Sequence, residues 1–124
     1  MENLISEGSK DKPRIHFDKK SGILSIGGSS LPENVLETYT PVLEWIKKYS
    51  EDPNPETRID FTFEYLNTAS SHMVMQIVKK CLDIQPKCSS FRINWYYAPG
   101  DSDIKDFGEE LKEILHQSIN IAQV

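Results

Sequence analysis

The chain predicts an α/β fold, a mixed β-sheet of four to five strands with helices packed mainly on one face. Three observations carry that expectation. In the run Arg58 to Tyr65, Ile59, Phe61, Phe63 and Tyr65 alternate with Asp60, Thr62 and Glu64, so one face is apolar and the other carries carboxylates. A sheet covered on both sides would not accept that second face. Stretches of helical periodicity fall between successive strand-like runs, which makes the connections helical crossovers with right-handed turns. The 124 residues, 38% hydrophobic and 27% charged, make one domain over residues 1–124. That length buries a core without disulfides or metals.

In chain order, residues 1–12 are polar apart from Leu4 and Ile5, which suit a loose start or a short edge strand, with a loop over Gly8 to Lys12. Arg14 to Asp18 alternates as a strand, and Lys19-Lys20-Ser21-Gly22 turns into a second strand, Ile23 to Gly27. Two short strands joined by a tight polar turn make a hairpin. His16 falls on its more polar face. Gly27 to Ser30 reads as a loop and Leu31-Pro32-Glu33-Asn34 as a first helical turn. A second helix start follows at Thr40-Pro41, since proline is accepted at the first helical position. From there Val42, Trp45, Ile46 and Tyr49 recur on one side of a helix, and Pro53 and Pro55 end it.

After the Arg58–Tyr65 strand, a helix from about Ser71 turns Met73, Val74, Ile77, Val78, Cys81 and Leu82 inward, with Gln76, Lys79 and Lys80 outside. Asp83 to Ser90 is a connector broken by Pro86, and Phe91 to Tyr97 is another strand, stopped by Pro99-Gly100. On it Trp95 and Tyr97 share one face and Tyr96 takes the other; core packing is the commoner role for such aromatics, an interface anchor the alternative. An acidic helix begins near Asp101 and Asp103 and turns Ile104, Phe107, Leu111, Ile114 and Leu115 to the core. Ile119 and Ile121 suit a last strand or a segment that simply closes over the sheet.

Composition excludes several classes of function. The net charge of −5 opposes a nucleic-acid binder, which would show a basic surface. No run approaches the apolar length needed to span a membrane, and Met1 to Glu7 lacks the blocks of a signal peptide. A cytoplasmic location follows as an expectation. Cys81 and Cys88 lie without a nearby histidine, which is no zinc spacing, and Cys81 suits a buried free thiol. No phosphate-binding glycine loop, zinc-protease motif or nucleophile elbow is present. No cofactor is expected.

The stretch with the densest chemistry is the strand-to-helix junction Asn67-Thr68-Ala69-Ser70-Ser71-His72. It places three hydroxyls and an amide at a helix start, where free backbone N–H groups and the positive dipole end favour a negative charge. A phosphate could be bound there or attached there covalently. Simple capping is the commoner use of Ser, Thr and Asn at this position.

The other candidates reduce to structure. Asp101-Ser102-Asp103 resembles the start of a calcium loop, but Asp106 stands where the invariant glycine belongs and Lys112 where the closing glutamate belongs. No metal site is expected. His72 could share a helical face with Thr68, four residues before it, yet no Ser–His–Asp relay can be assembled. Asp60 and Glu64 have no visible partner for acid–base work.

Several motifs together resemble one family. Gly22-x-Leu24-x-Ile26-x-Gly28, Pro32-Glu33-Asn34, Pro41-x-x-x-Trp45-x-x-x-Tyr49, Tyr65-Leu66-Asn67-Thr68-Ala69-Ser70-Ser71, Asn94-Trp95-x-Tyr97 and the Asp-rich segment ending Gly108-Glu109 are similar to the SiaC family of bacterial regulatory phosphoproteins. The likeness runs from about residue 12 to 118. It implies a STAS-like domain, the fold of anti-anti-sigma factors, and no catalytic activity.

The resemblance also implies partners. A serine/threonine kinase of histidine-kinase-like ATPase fold would phosphorylate Thr68, and a PP2C-type phosphatase would remove the phosphate. The unphosphorylated form would bind and activate a diguanylate cyclase, raising cyclic-di-GMP and favouring biofilm. Asn67, Thr68, Ala69, Ser70, Ser71 and His72 would then form the switch surface. Leu66 stands where the family often has an aromatic, and His72 where it often has lysine. Two other readings stay open: an anti-anti-sigma factor acting on a sigma-sequestering kinase, and a small enzyme using the carboxylates and His72.

Overall fold

A computed structural model describes residues 1–124. Its centre is one sheet of six strands lying in chain order: β1 (Leu4–Ser6), β2 (Arg14–Asp18), β3 (Ile23–Ser30), β4 (Glu56–Leu66), β5 (Ser90–Tyr97) and β6 (Asn120–Gln123). The expected four to five strands become six because Leu4–Ser6 and Asn120–Gln123 both pair at the edges. β2 runs antiparallel to both β1 and β3, and β3 through β6 run parallel. Parallel neighbours require crossovers, here α1 (Val35–Glu51), α2 (Thr68–Ile84) and α3 (Ser102–Leu115). A short 3-10 turn at Gln85–Lys87 extends α2 towards β5.

Right-handed crossovers that step one strand at a time in one direction put all three helices on the same face. One core lies between them and the sheet. Ile15, Phe17, Leu24, Ile26, Ile59, Phe61, Phe63, Ile93 and Trp95 supply the sheet side of it. The opposite face is polar and uncovered. Its central row is tied laterally: Asn120 donates to Asn94 at 3.2 Å, Asn94 to Asp60 at 2.9 Å, and Arg58 to Asp60 at 3.1 Å. The carboxylates of the expected open face are thus partly satisfied within the sheet.

Several sequence expectations change. Gly27 to Ser30 is strand rather than loop, because β3 continues beside β4 as far as Ser30↔Leu66. There is one helix where two starts were expected. Asn34 caps it, its side chain accepting from the Glu37 amide at 3.1 Å, and Pro41 lies in the interior. Proline removes a helical hydrogen bond there, but Pro41 and the Glu37 whose carbonyl it leaves unpaired are both exposed, which leaves that carbonyl open to solvent. Extending the helix back to Val35 brings Tyr39 onto the core stripe with Val42, Trp45, Ile46 and Tyr49.

On α2 the inward row ends with Ile84, while Leu82 is exposed. On α3, Ile104, Gly108 and Leu111 face the core and Ile114 is exposed. Gly108 sits directly on the Trp95 ring, whose Nε1 donates to the Ile104 carbonyl at 2.8 Å. A side chain at position 108 would occupy the space of that ring. The glycine therefore sets how closely α3 approaches β5.

Candidate functional site

Because β3, β4 and β5 are parallel, the starts of α1, α2 and α3 all gather at the edge where these strands end. Sites on open α/β sheets favour that edge. The middle junction, from β4 into α2, is anchored on both sides. The Asn67 amide donates to the Ser30 carbonyl at 3.0 Å, holding the end of β4 against β3. The Asn67 side chain accepts from the Ser70 amide at 2.8 Å, and its carbonyl receives the Ser71 amide at 2.9 Å and the Ser71 hydroxyl at 3.0 Å. Asn67 is the cap, so α2 begins at Thr68, three residues before the expected start.

Beneath the cap lies a buried hydroxyl chain that ties three elements together. The Ser30 hydroxyl donates to Ser70 at 2.9 Å and meets the Tyr39 hydroxyl at 2.6 Å. Since the single Ser30 proton is committed to Ser70, the Tyr39 phenol is the donor to Ser30. Burial raises the Tyr39 pKa above its ordinary value, opposed in part by the nearby hydroxyls of Ser30 and Ser70. A neutral phenol is the form this chain requires. Ser70 is fully buried, which removes it from the surface that the sequence assigned to it. The sequence reading placed Ser30 in a loop and did not single out Tyr39, so neither was assigned to the site. A helix start placed at Asn34 would have put Tyr39 on the inward row.

Outside the cap the arrangement differs. Thr68, Ala69 and His72 are exposed, and Ser71 is half-buried. Neither Thr68 nor His72 has a side-chain hydrogen bond to the rest of the chain, because the capping duties fall to Asn67 and Ser71. α2 has no acidic residue in its first turn, whereas α1 has Glu37 and α3 has Asp103. The positive end of the α2 dipole is therefore not neutralised from within the helix. The exposed threonine hydroxyl stands at that end.

Just before the junction, the pairing of β4 with β3 slips: Gly28 faces Phe63, but Ser29 faces Tyr65. Glu64 is the extra residue of a β-bulge. A bulge turns the side chains beyond it, and Tyr65, expected on the inward face with Phe63, is instead 52% exposed. No group of three or more His, Cys, Asp or Glu side chains converges to hold a metal ion. What this edge presents to solvent is the Thr68 hydroxyl at the start of α2.

Comparison with known proteins places this geometry in a family. The model of the SiaC family regulatory phosphoprotein matches residues 6–124. The chain belongs to the SiaC family. Its members regulate other proteins and are not themselves enzymes. A relative from Pseudomonas aeruginosa (strain UCBPP-PA14), described as an uncharacterized protein, is 27% identical over 113 residues, covering 91% of this chain and 90% of its own.

Solved SiaC structures from Pseudomonas aeruginosa superpose over nearly the whole chain. The first is the crystal structure of diguanylate cyclase SiaD in complex with its activator SiaC, with a TM-score of 0.87, 26% identity, and 98% of this chain and 99% of that chain covered. Apo-SiaC gives a TM-score of 0.83 at 27% identity, with 99% and 98% covered. The mixed sheet with three helices is the SiaC architecture. No helix is long and apolar enough to cross a membrane.

Proposed function

We propose that this chain is a cytoplasmic switch protein whose binding to a diguanylate cyclase is set by reversible phosphorylation of Thr68. One observation carries the reading: Thr68 is exposed, uncommitted and at an uncompensated helix start, while Asn67 caps the helix and Ser70 is held beneath it by Ser30. Modification there leaves the fold's hydrogen bonds untouched. A kinase of histidine-kinase-like ATPase fold adds the phosphate, and a PP2C-type phosphatase removes it. The related SiaC is the activator in a complex with diguanylate cyclase SiaD, which supports a cyclase as the target here and cyclic-di-GMP and biofilm as the output.

The energetics suit a switch rather than an unfolding event. A phosphate adds about −1.5 to −2 charge at pH 7, and a helix N-terminus stabilises a negative group by about 0.3–1 kcal/mol. A partner that covers Thr68 must strip water from that charge, which costs several kcal/mol when no cation compensates. About 2.7 kcal/mol is enough for a hundredfold change in affinity. The unphosphorylated form therefore binds and the phosphorylated form is released.

Intact mass with phosphosite mapping on protein from its native host tests the modification. The expected result is a partial gain of one phosphate, located on Thr68. Phosphate confined to Ser71 would move the switch along the helix, and its absence under all growth conditions would remove it.

A further inference from the structure

The bulge that turns Tyr65 outward also opens a groove between the end of β4 and the start of α3. It encloses about 210 Å3. Tyr65 and Phe107 give it apolar walls, and Ser71 of α2 lies along one side. Its lining carries three carboxylates, Glu64, Asp101 and Asp103, and no lysine or arginine. Asp101 caps α3, accepting from the Ile104 amide at 3.1 Å. Neither Glu64 nor Asp103 has a cationic partner, the one ion pair of the chain being Arg58–Asp60 on the opposite face of the sheet.

We infer that this groove docks a partner segment presenting one large apolar side chain flanked by lysines or arginines. A slot of this volume admits a single leucine- or phenylalanine-sized group, and such anchors dominate the energy of small interfaces. Carboxylates crowded around an apolar slot repel one another until a cation arrives, so charge complementarity selects a basic segment and rejects an acidic one. The inference rests on the reading of the α2 start as the partner surface. Ser71 in the groove and Thr68 are three residues apart on one helix face, which makes the groove and the acceptor hydroxyl neighbours. A phosphate on Thr68 would stand beside the groove, one helical turn from Ser71, where its bulk and hydration obstruct entry of the anchor.

The test is an amide-resonance titration of the isotope-labelled, unmodified protein with two synthetic peptides. Both carry the same phenylalanine anchor, one flanked by lysines and the other by glutamates. The lysine peptide is expected to shift Tyr65, Ser71, Asp103 and Phe107, more weakly as salt rises, while the glutamate peptide shifts nothing. Glu64→Lys with Asp103→Lys should weaken the lysine peptide at least about tenfold. Glu109→Lys with Glu110→Lys, farther along α3, should change it less than about twofold. Melting curves confirm that both double variants fold. Equal binding of the two peptides, shifts scattered over the surface, equal loss in both double variants, or no shift at millimolar peptide would each overturn the groove. Because no phosphate is involved, a failure of Thr68 phosphorylation leaves this result independent.

Discussion

Ser30 and Ser70, forty positions apart, meet hydroxyl to hydroxyl at 2.9 Å beneath the first turn of α2. Tyr39 completes the contact at 2.6 Å from Ser30. The end of β3, the first turns of α1 and the start of α2 are thereby held as one unit, and the exposed Thr68 rides on it. The surface around Thr68 is anchored from its interior face by these hydroxyls, not by hydrogen bonds from the Thr68 or His72 side chains.

Ser30→Ala should lower stability by about 1–3 kcal/mol, since the buried Tyr39 hydroxyl loses its acceptor and Ser70 its donor. Urea unfolding checks this as a lower midpoint with unchanged slope. A loss below about 0.5 kcal/mol would mean that water replaces the missing hydroxyl.

Asn67 and Thr68 should separate cleanly. Asn67→Ala removes the cap and is expected to cost about 1 kcal/mol, whereas Thr68→Ala should stay within about 0.5 kcal/mol of the parent. Equal losses would give Thr68 a structural duty and weaken its assignment as a free acceptor.

Gly108→Ala should be severe for so small a change. The added methyl would meet Cδ1 and Nε1 of Trp95, and overpacking of this kind costs about 1–3 kcal/mol. Displacement of the indole would also disturb its hydrogen bond to the Ile104 carbonyl. A shift in tryptophan fluorescence together with a lower melting temperature is the expected signature.

Stability should decline at alkaline pH. Burial raises the Cys81 thiol above its ordinary 9.0 and the Tyr39 phenol above its ordinary 10.0. Below those values both groups are neutral in either state and their contribution is intact. As pH rises past them, the unfolded chain ionises first and binds fewer protons than the fold, so unfolding gains. Urea midpoints should fall from about pH 9 upward, and Tyr39→Phe should flatten part of that fall. A midpoint constant to about pH 11 would contradict the burial of both groups.

Where alternation or helical periodicity ran unbroken, the chain was readable. Ile59, Phe61 and Phe63 occupy the inward face that their spacing implied, and Cys81 is buried and free. Periodicity failed where one local event reset it. The bulge at Glu64 moved Tyr65 outward. Pro41 suggested a helix start, because an interior proline is rare, and that hid Tyr39. The junction was legible as a helix start because an amide and hydroxyls before an apolar-periodic run stand out in sequence. Which of them faced solvent was not, since the burial of Ser70 depends on Ser30, a partner on another strand. Asp101, Asp103 and Glu64 each stood out locally, but their convergence on one groove did not, because they come from two segments far apart in the chain.

The most direct measurement is the affinity of the cognate diguanylate cyclase for two forms of this protein, unmodified and stoichiometrically phosphorylated on Thr68, with cyclase activity read in parallel. The account predicts that the unmodified form binds and activates, and that phosphate weakens binding at least about a hundredfold. Thr68→Ala should follow the unmodified form and Thr68→Glu the phosphorylated one. Equal affinity and equal activation by both forms would contradict the switch.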